Sequence, residues 1–347
     1  MGRHAHAVAR RTRPAGFGTA GPGTGTVTRY VLRRLFQALL VLWAAYTATF
    51  ALLYLLPSDP VSLMLRGGGE ESFATPEQEA ELRERWGFDQ PPAIQYLTML
   101  GLALTGDLGT SLTTGQPVVA ALAEALPPTA QLAGAALVTA VLLGGGVAVA
   151  ATYTRSPLLA RFLTALPPVG VAMPTFWVGL VLVQVVSFQW GLLTALGGET
   201  SAAGLVLPAL TLSLPVAALI AQVLSDGLRA ELARPHTTTA RAKGASRARV
   251  HLAHALSGGV LPTLTLVGVV TGELLAGAVV VETVFSRPGI GRITATAVEA
   301  QDLPLVQGVV LLAAVVFVLA NLLVDLLLPL LDPRVRIGAR RPGGAAA

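Results

Sequence analysis

VLPALTLSLPVAALIAQVLS (206–225), DGLRAELARPHTTTARAKGASRARVHLAHAL (226–256) and GGVLPTLTLVGVVTGELLAGAVVV (258–281) follow one another with hardly a break. Each outer run is apolar and about 20 residues long, which at about 1.5 Å per residue crosses a hydrocarbon layer about 30 Å thick. The segment between them carries Arg229, Arg234, Arg241, Lys243, Arg247 and Arg249. Two apolar runs joined by a basic loop form the elementary unit of a multi-pass membrane protein.

The rest of the chain repeats the unit. Of its 347 residues, 53% are hydrophobic and 12% charged, too few charges to cover a soluble globule of this size. The apolar residues come in blocks rather than at a period of 2 or 3.6. Further runs at 35–56, 129–152, 162–186 and 305–331 complete an expected all-α integral membrane protein of six transmembrane helices. Pro57 and Asp59-Pro60 stop the first run, while Pro167, Pro168 and Pro174 interrupt the third. Gly144, Gly145 and Gly146 in the second run and Gly268, Gly272 and Gly277 in the fifth allow close helix approach where lipid supplies no hydrophobic drive.

Charge sets the orientation. Of 24 Lys and Arg, only Arg66, Arg83, Arg85, Arg287 and Arg292 fall on the side opposite the tails. The positive-inside rule therefore predicts both termini and the 227–257 loop on the cytoplasmic side of the membrane. The net charge of +5 is thus mainly topology; nucleic acid is not an expected partner, because the basic segments are separated and lack interleaved aromatics. Residues 1–28 and 337–347 read as disordered cytoplasmic tails around a transmembrane domain at 29–336. An acidic extracytoplasmic insert is expected at 57–128, between helices 1 and 2, with a Glu-rich helix from Pro76 to Trp86.

Catalytic constellations are not apparent. There is no cysteine, and no His-Glu-x-x-His pattern; His251 and His254 lack a nearby acidic third ligand, so no metal site is expected. The clusters Gly21–Gly25 and Gly67–Gly69 are not followed by Gly-Lys-Ser/Thr, and the sole lysine is Lys243. Away from their ends, the runs hold few acids and amides: Gln184, Gln222, Glu273, Asn321 and Asp325. Glu273 and Gln184 are the candidates for lining a translocation pathway. Were Glu273 an ion relay, the chain would be an ion-coupled secondary transporter, although no Arg, Lys or His lies beside it in the membrane.

Within the basic loop, a short helix ending at Lys243 would put Gly244 where a left-handed backbone is favoured, and Ser246 could cap a second helix. Two short helices about a glycine turn make a knuckle with Arg241, Lys243, Arg247 and Arg249 around its tip.

Thr239-Ala240-Arg241-Ala242-Lys243-Gly244, with Ser246, Arg249, Val250, His254 and Ala255, resembles the ATPase-docking motif of ABC importer permeases, in the dipeptide, oligopeptide and nickel branch. Thr238 or Thr239 and Ser257 stand where the wider motif has an acid and a proline, which sets the sugar-importer branch aside. The resemblance runs from Tyr30 to Arg336. It takes in Leu56-Pro57-Ser58-Asp59-Pro60, Gly106-Asp107-Leu108-Gly109-Thr110-Ser111, Pro174-Thr175-Phe176-Trp177, Leu207-Pro208-Ala209-Leu210, Glu282 through Gly291 and Leu331-Asp332-Pro333-Arg334. It implies a first-type permease subunit that carries peptides or related small solutes, nickel chelates among them. Its partners would be a second homologous permease, two cytoplasmic ATPases and an extracytoplasmic solute-binding protein. This chain would bind no cofactor, and ATP and Mg would sit on the ATPases. The implied docking residues are Thr239, Ala240, Arg241, Ala242, Lys243, Gly244, Ser246 and Arg249.

Overall fold

The computed structural model describes residues 24–54, 89–193 and 202–331, together with Glu77, Ala80, Glu81, Arg83 and Glu84. The chain divides into a small unit, Met1–Leu40 with Gly338–Ala347, and a large one, Val41–Ile337. Of the small unit only the first part of α1 (Thr24–Tyr54) is described. α1 begins inside the expected N-terminal tail, directly after Pro22 and Gly23. The C-terminal tail and most of the Glu-rich stretch lie outside the described residues, as do the side chains of Asn321 and Asp325.

The large unit continues with α2 (Pro92–Leu104), α3 (Val118–Tyr153), α4 (Pro157–Ala172) and α5 (Thr175–Leu182), which passes into a π-helical turn at Val183–Gln189. Then come α6 (Ala202–Leu232), α7 (Pro235–Ala242), α8 (Arg247–Arg249), a second π-helical turn at Val250–Ala255, α9 (Leu256–Val284), α10 (Ile290–Glu299) and α11 (Leu303–Leu331). The described residues hold one isolated antiparallel bridge, Thr110 to Pro117, and otherwise helices and turns. This is an all-helical membrane protein. By length and composition, four helices among the described residues can cross a bilayer, Leu32–Leu52, Val118–Tyr153, Ala203–Leu232 and Arg247–Leu274, or five if the bent pair Pro157–Ala172 and Thr175–Gln189 makes one span.

Two expected boundaries move. The helix of the second run begins early: Pro127 and Pro128 lie inside α3, which starts at Val118. Its first turns are held because Val118 and Leu122 bury themselves against Leu305, Val306 and Val309 of α11. The third run is not one straight span. Pro167 and Pro168 stay within α4, and the break comes at Met173 and Pro174, where α4 and the helix after it meet at 104°. Proline forces the residue before it out of the helical region, and Met173 accordingly sits at φ −75°, ψ 126°.

The core is built on α3, α6 and α9. Ala136, Ala140, Gly144 and Ala148 recur every fourth residue of α3, forming a flat strip against which α6 closes. A Cβ on Gly144 would stand 2.4 Å from the carbonyl oxygen of Ala217, so glycine is what permits that approach. Leu212, Val216 and Ile220 of α6 and Val270, Leu274, Ala278 and Val281 of α9 fill the space around the strip.

Candidate functional site

The basic loop folds as a knuckle. Pro235 occupies the first helical turn of α7, where its missing N–H costs nothing. Thr237 is buried, and its hydroxyl donates to the carbonyls of Leu232 (3.0 Å) and Arg234 (2.7 Å), tying α7 back to the end of α6. At the other end, Gly244 N donates to Arg241 O and Ala245 N to Ala240 O, the paired bonds of a Schellman stop. Gly244 sits at φ +83°, in the left-handed region. Ser246 Oγ then accepts from Arg249 N (3.3 Å) and caps α8.

The knuckle's second arm is anchored while its tip stays open. Val250 and Ala255 are fully buried, and His251 Nε2 shares a 2.9 Å hydrogen bond with Thr152 Oγ1 at the end of α3. The His251 ring meets Tyr153 edge-on, and the Arg247 guanidinium lies 5.1 Å from the centroid of that same Tyr153 ring. At the base, α6 crosses α9 with Gly227 against Gly259: a Cβ at 227 would fall 2.5 Å from the Gly259 carbonyl oxygen. Glu231 lies over Gly258 and pairs with Arg234 at 3.1 Å. Thr239, Arg241, Ala242, Lys243, Gly244, Ser246 and Arg249 are exposed together on the tip, with Ala240 half-buried beneath them. The arrangement presents a cationic projection whose shape is set by its own turn and cap hydrogen bonds, with Glu231 at its base paired to Arg234 and 3.8 Å from His236.

Residues 136–337 match the family described as the binding-protein-dependent transport system inner membrane component, and residues 27–133 match that family's N-terminal region. The chain belongs to this permease family. It is 34% identical over 338 residues to the dipeptide transport system permease protein DppB of Escherichia coli (strain K12), covering 89% of this chain and 98% of that one. It is also 34% identical over 311 residues to the glutathione transport system permease protein GsiC of Salmonella paratyphi A, covering 88% and 98%. A solved structure, the inward-facing MetNI methionine ABC transporter, shares the fold with a TM-score of 0.52 at 17% identity, over 61% of this chain and 96% of its own. As a member of this family the chain is a transporter subunit, not an enzyme, and a multi-pass inner-membrane protein.

In this permease the two expected pathway residues face away from the core. Glu273 is exposed on α9, and Gln184 is exposed in the π-helical turn after α5. Sequence reasoning missed two buried carboxylates at the end of α3 remote from the knuckle. Glu282 is fully buried; it accepts from Thr129 Oγ1 (2.7 Å) and Gly291 N (2.7 Å), and Thr129 Oγ1 in turn accepts from Ile290 N (2.8 Å). Gly289 is packed so tightly that a Cβ would lie 2.4 Å from that carboxylate. Asp302, also fully buried, accepts from Ser111 Oγ (2.5 Å), Thr113 Oγ1 (2.9 Å), Thr113 N (3.2 Å) and Leu305 N (3.2 Å). Buried Arg287 donates to Gly204 O (3.0 Å) and lies near enough to Glu282 for their charges to attract. The available signal for Glu282 was an acid near a helix end just before Gly289 and Gly291, while Asp302 was marked only by standing immediately before an apolar run.

Proposed function

We propose that this chain is the first-type permease of a peptide importer, with six transmembrane helices and both termini in the cytoplasm. α11 supplies the sixth span and the broken α4–α5 unit the third, which leaves the knuckle on the cytoplasmic side and the 107–117 loop outside. Thr239, Ala240, Arg241, Ala242, Lys243, Gly244, Ser246 and Arg249 dock an ATPase subunit. Two ATPases carry ATP and Mg, a second homologous permease completes the pathway, and an extracytoplasmic binding protein delivers the cargo. Glu273 and Gln184, being exposed, face the second permease or the pathway between the two chains.

The observation that carries this reading is the Schellman turn at Gly244, which holds the basic tip outside the bundle in one fixed shape. The names of DppB and GsiC, a dipeptide and a glutathione permease, support small peptides as the cargo. ATP binding would draw the ATPases together and move the knuckle, and the helices bearing it would switch between outward and inward openings. Reconstitution tests it: proteoliposomes holding the two permeases and two ATPases should import peptide only with binding protein and ATP. Import driven by an ion gradient without ATPases would refute it.

A further inference from the structure

At the end of α3 away from the knuckle, a cavity of about 380 Å³ opens between α1, α2, the 107–112 loop and the start of α11. Those two ends lie far apart, since the 36 residues of α3 at about 1.5 Å each reach about 54 Å. The cavity is at the small end of ligand-sized pockets, which run from about 300 to 1,000 Å³. Asp107 and Glu84, both exposed, contribute carboxylates to its wall, and Gln90, Gln95 and Tyr46 further polar groups, while no Lys, Arg or His among the described residues lines it. Its wall also includes Gln307, which is 3% exposed and whose Nε2 has no hydrogen-bond acceptor. A buried amide N–H without an acceptor has given up its bond to water without replacement, so the site favours an occupant that supplies one.

These features specify a ligand with two parts. The carboxylates call for a cation, and Gln307 calls for a carbonyl or carboxylate oxygen close to it. A metal ion or a simple amine offers the first without the second. We propose that this cavity receives the amino-terminal end of a peptide, its ammonium toward Asp107 and Glu84 and its first carbonyl accepting from Gln307 Nε2. The proposal rests on the peptide-importer reading and places a recognition site within the permease itself, at its outer mouth. Free amino termini would then be selected twice, by the binding protein and again on entry.

The test uses the purified permease–ATPase complex in lipid nanodiscs without binding protein, with Ala-Ala, N-acetyl-Ala-Ala and methylammonium as probes in saturation-transfer NMR titrations. Ala-Ala should bind most tightly. The double variant Asp107→Asn with Glu84→Gln and the single variant Gln307→Met should each weaken it about threefold to tenfold. Asp107→Asn retains the oxygen that accepts from Gly109 N (2.9 Å), so the loop keeps its shape while the charge is lost. Equal binding of the acetylated peptide or of methylammonium, or variants that leave Ala-Ala affinity unchanged, would overturn the cavity assignment. Uptake assays with binding protein separate the two claims: wild-type complex that imports peptide while the titrations fail sinks the cavity alone. Complex that imports no peptide sinks the substrate reading as well.

Discussion

Replacing Gly244 with valine isolates the turn from everything else in the knuckle. No atom lies within 4 Å of where its Cβ would sit, so the new side chain clashes with no neighbouring part of the fold. The penalty is therefore backbone strain: at φ +83° an L residue pays about 1–2 kcal/mol, and a β-branched one more. One to two kcal/mol is a factor of about 5–30 in the population of the left-handed turn. Since the strain is confined to an exposed tip, insertion and folding of the bundle should be unchanged. What falls is the fraction of knuckles holding the shape proposed to dock the ATPase. Peptide uptake and peptide-stimulated ATP hydrolysis by the reconstituted complex should both drop at least about fivefold for Gly244→Val. Gly244→Asn should stay close to wild type, because asparagine tolerates the left-handed region. Valine and asparagine behaving alike, or valine abolishing insertion, would refute the reasoning.

Gly291→Ala would place a Cβ 2.3 Å from the Val279 backbone and 2.9 Å from Glu282, whereas Gly145→Ala meets open space. The first should cost about 1–3 kcal/mol and lower the thermal unfolding midpoint in detergent, while the second should leave it unchanged. Asp302→Ala strands the donors of Ser111, Thr113 and Leu305, so it should destabilise by about 3 kcal/mol, visible as a lower midpoint. Ser286→Gly should raise the midpoint by relieving about 1 kcal/mol of strain, since Ser286 holds φ 52° with a side chain present. Glu273→Gln, at an exposed position on α9, should reduce peptide uptake less than Gly244→Val does, and the reverse ranking would favour ion coupling.

The parts of the fold legible in the sequence were those governed by nearby residues. The Lys243-Gly244-x-Ser246 order carries a helix stop and a helix start within a few positions, and both form where local capping rules put them. Apolar block length likewise located α6 and most of α9. What local rules could not supply was tertiary context. Pro127 and Pro128 read as an end to the insert, yet α3 runs through them because Val118 and Leu122 find α11, nearly two hundred residues later, to pack against. Three prolines in the third run looked equivalent, but only Pro174 follows a residue driven out of the helix. Glu282 and Asp302 were passed over because their donors, Thr129 and Ser111, come from more than 150 residues away. The two π-helical turns carry no sequence mark at all.

The knuckle and the buried carboxylates act on the same helices, which bears on how a push at one end reaches the other. α6 and α9 are locked at the knuckle by the Gly227–Gly259 crossing and by Glu231 over Gly258. They are locked again at the far end by Arg287, which reaches from the turn after α9 to Gly204 at the start of α6. α3 joins them through Gly144 on Ala217 midway and Thr129 on Glu282 beyond. Helices fixed to each other at two or more levels cannot slide past one another without breaking backbone contacts or buried hydrogen bonds, each worth about 1–3 kcal/mol. These contacts favour a joint movement of α3, α6 and α9 over shear between them. The 104° break at Met173 and Pro174 is where the described chain can bend without such losses, since no i to i−4 ladder spans it. Under the proposed ATPase docking, the turn at Gly244 has to hold its shape, because a tip that yields would dissipate the displacement before the three helices could carry it.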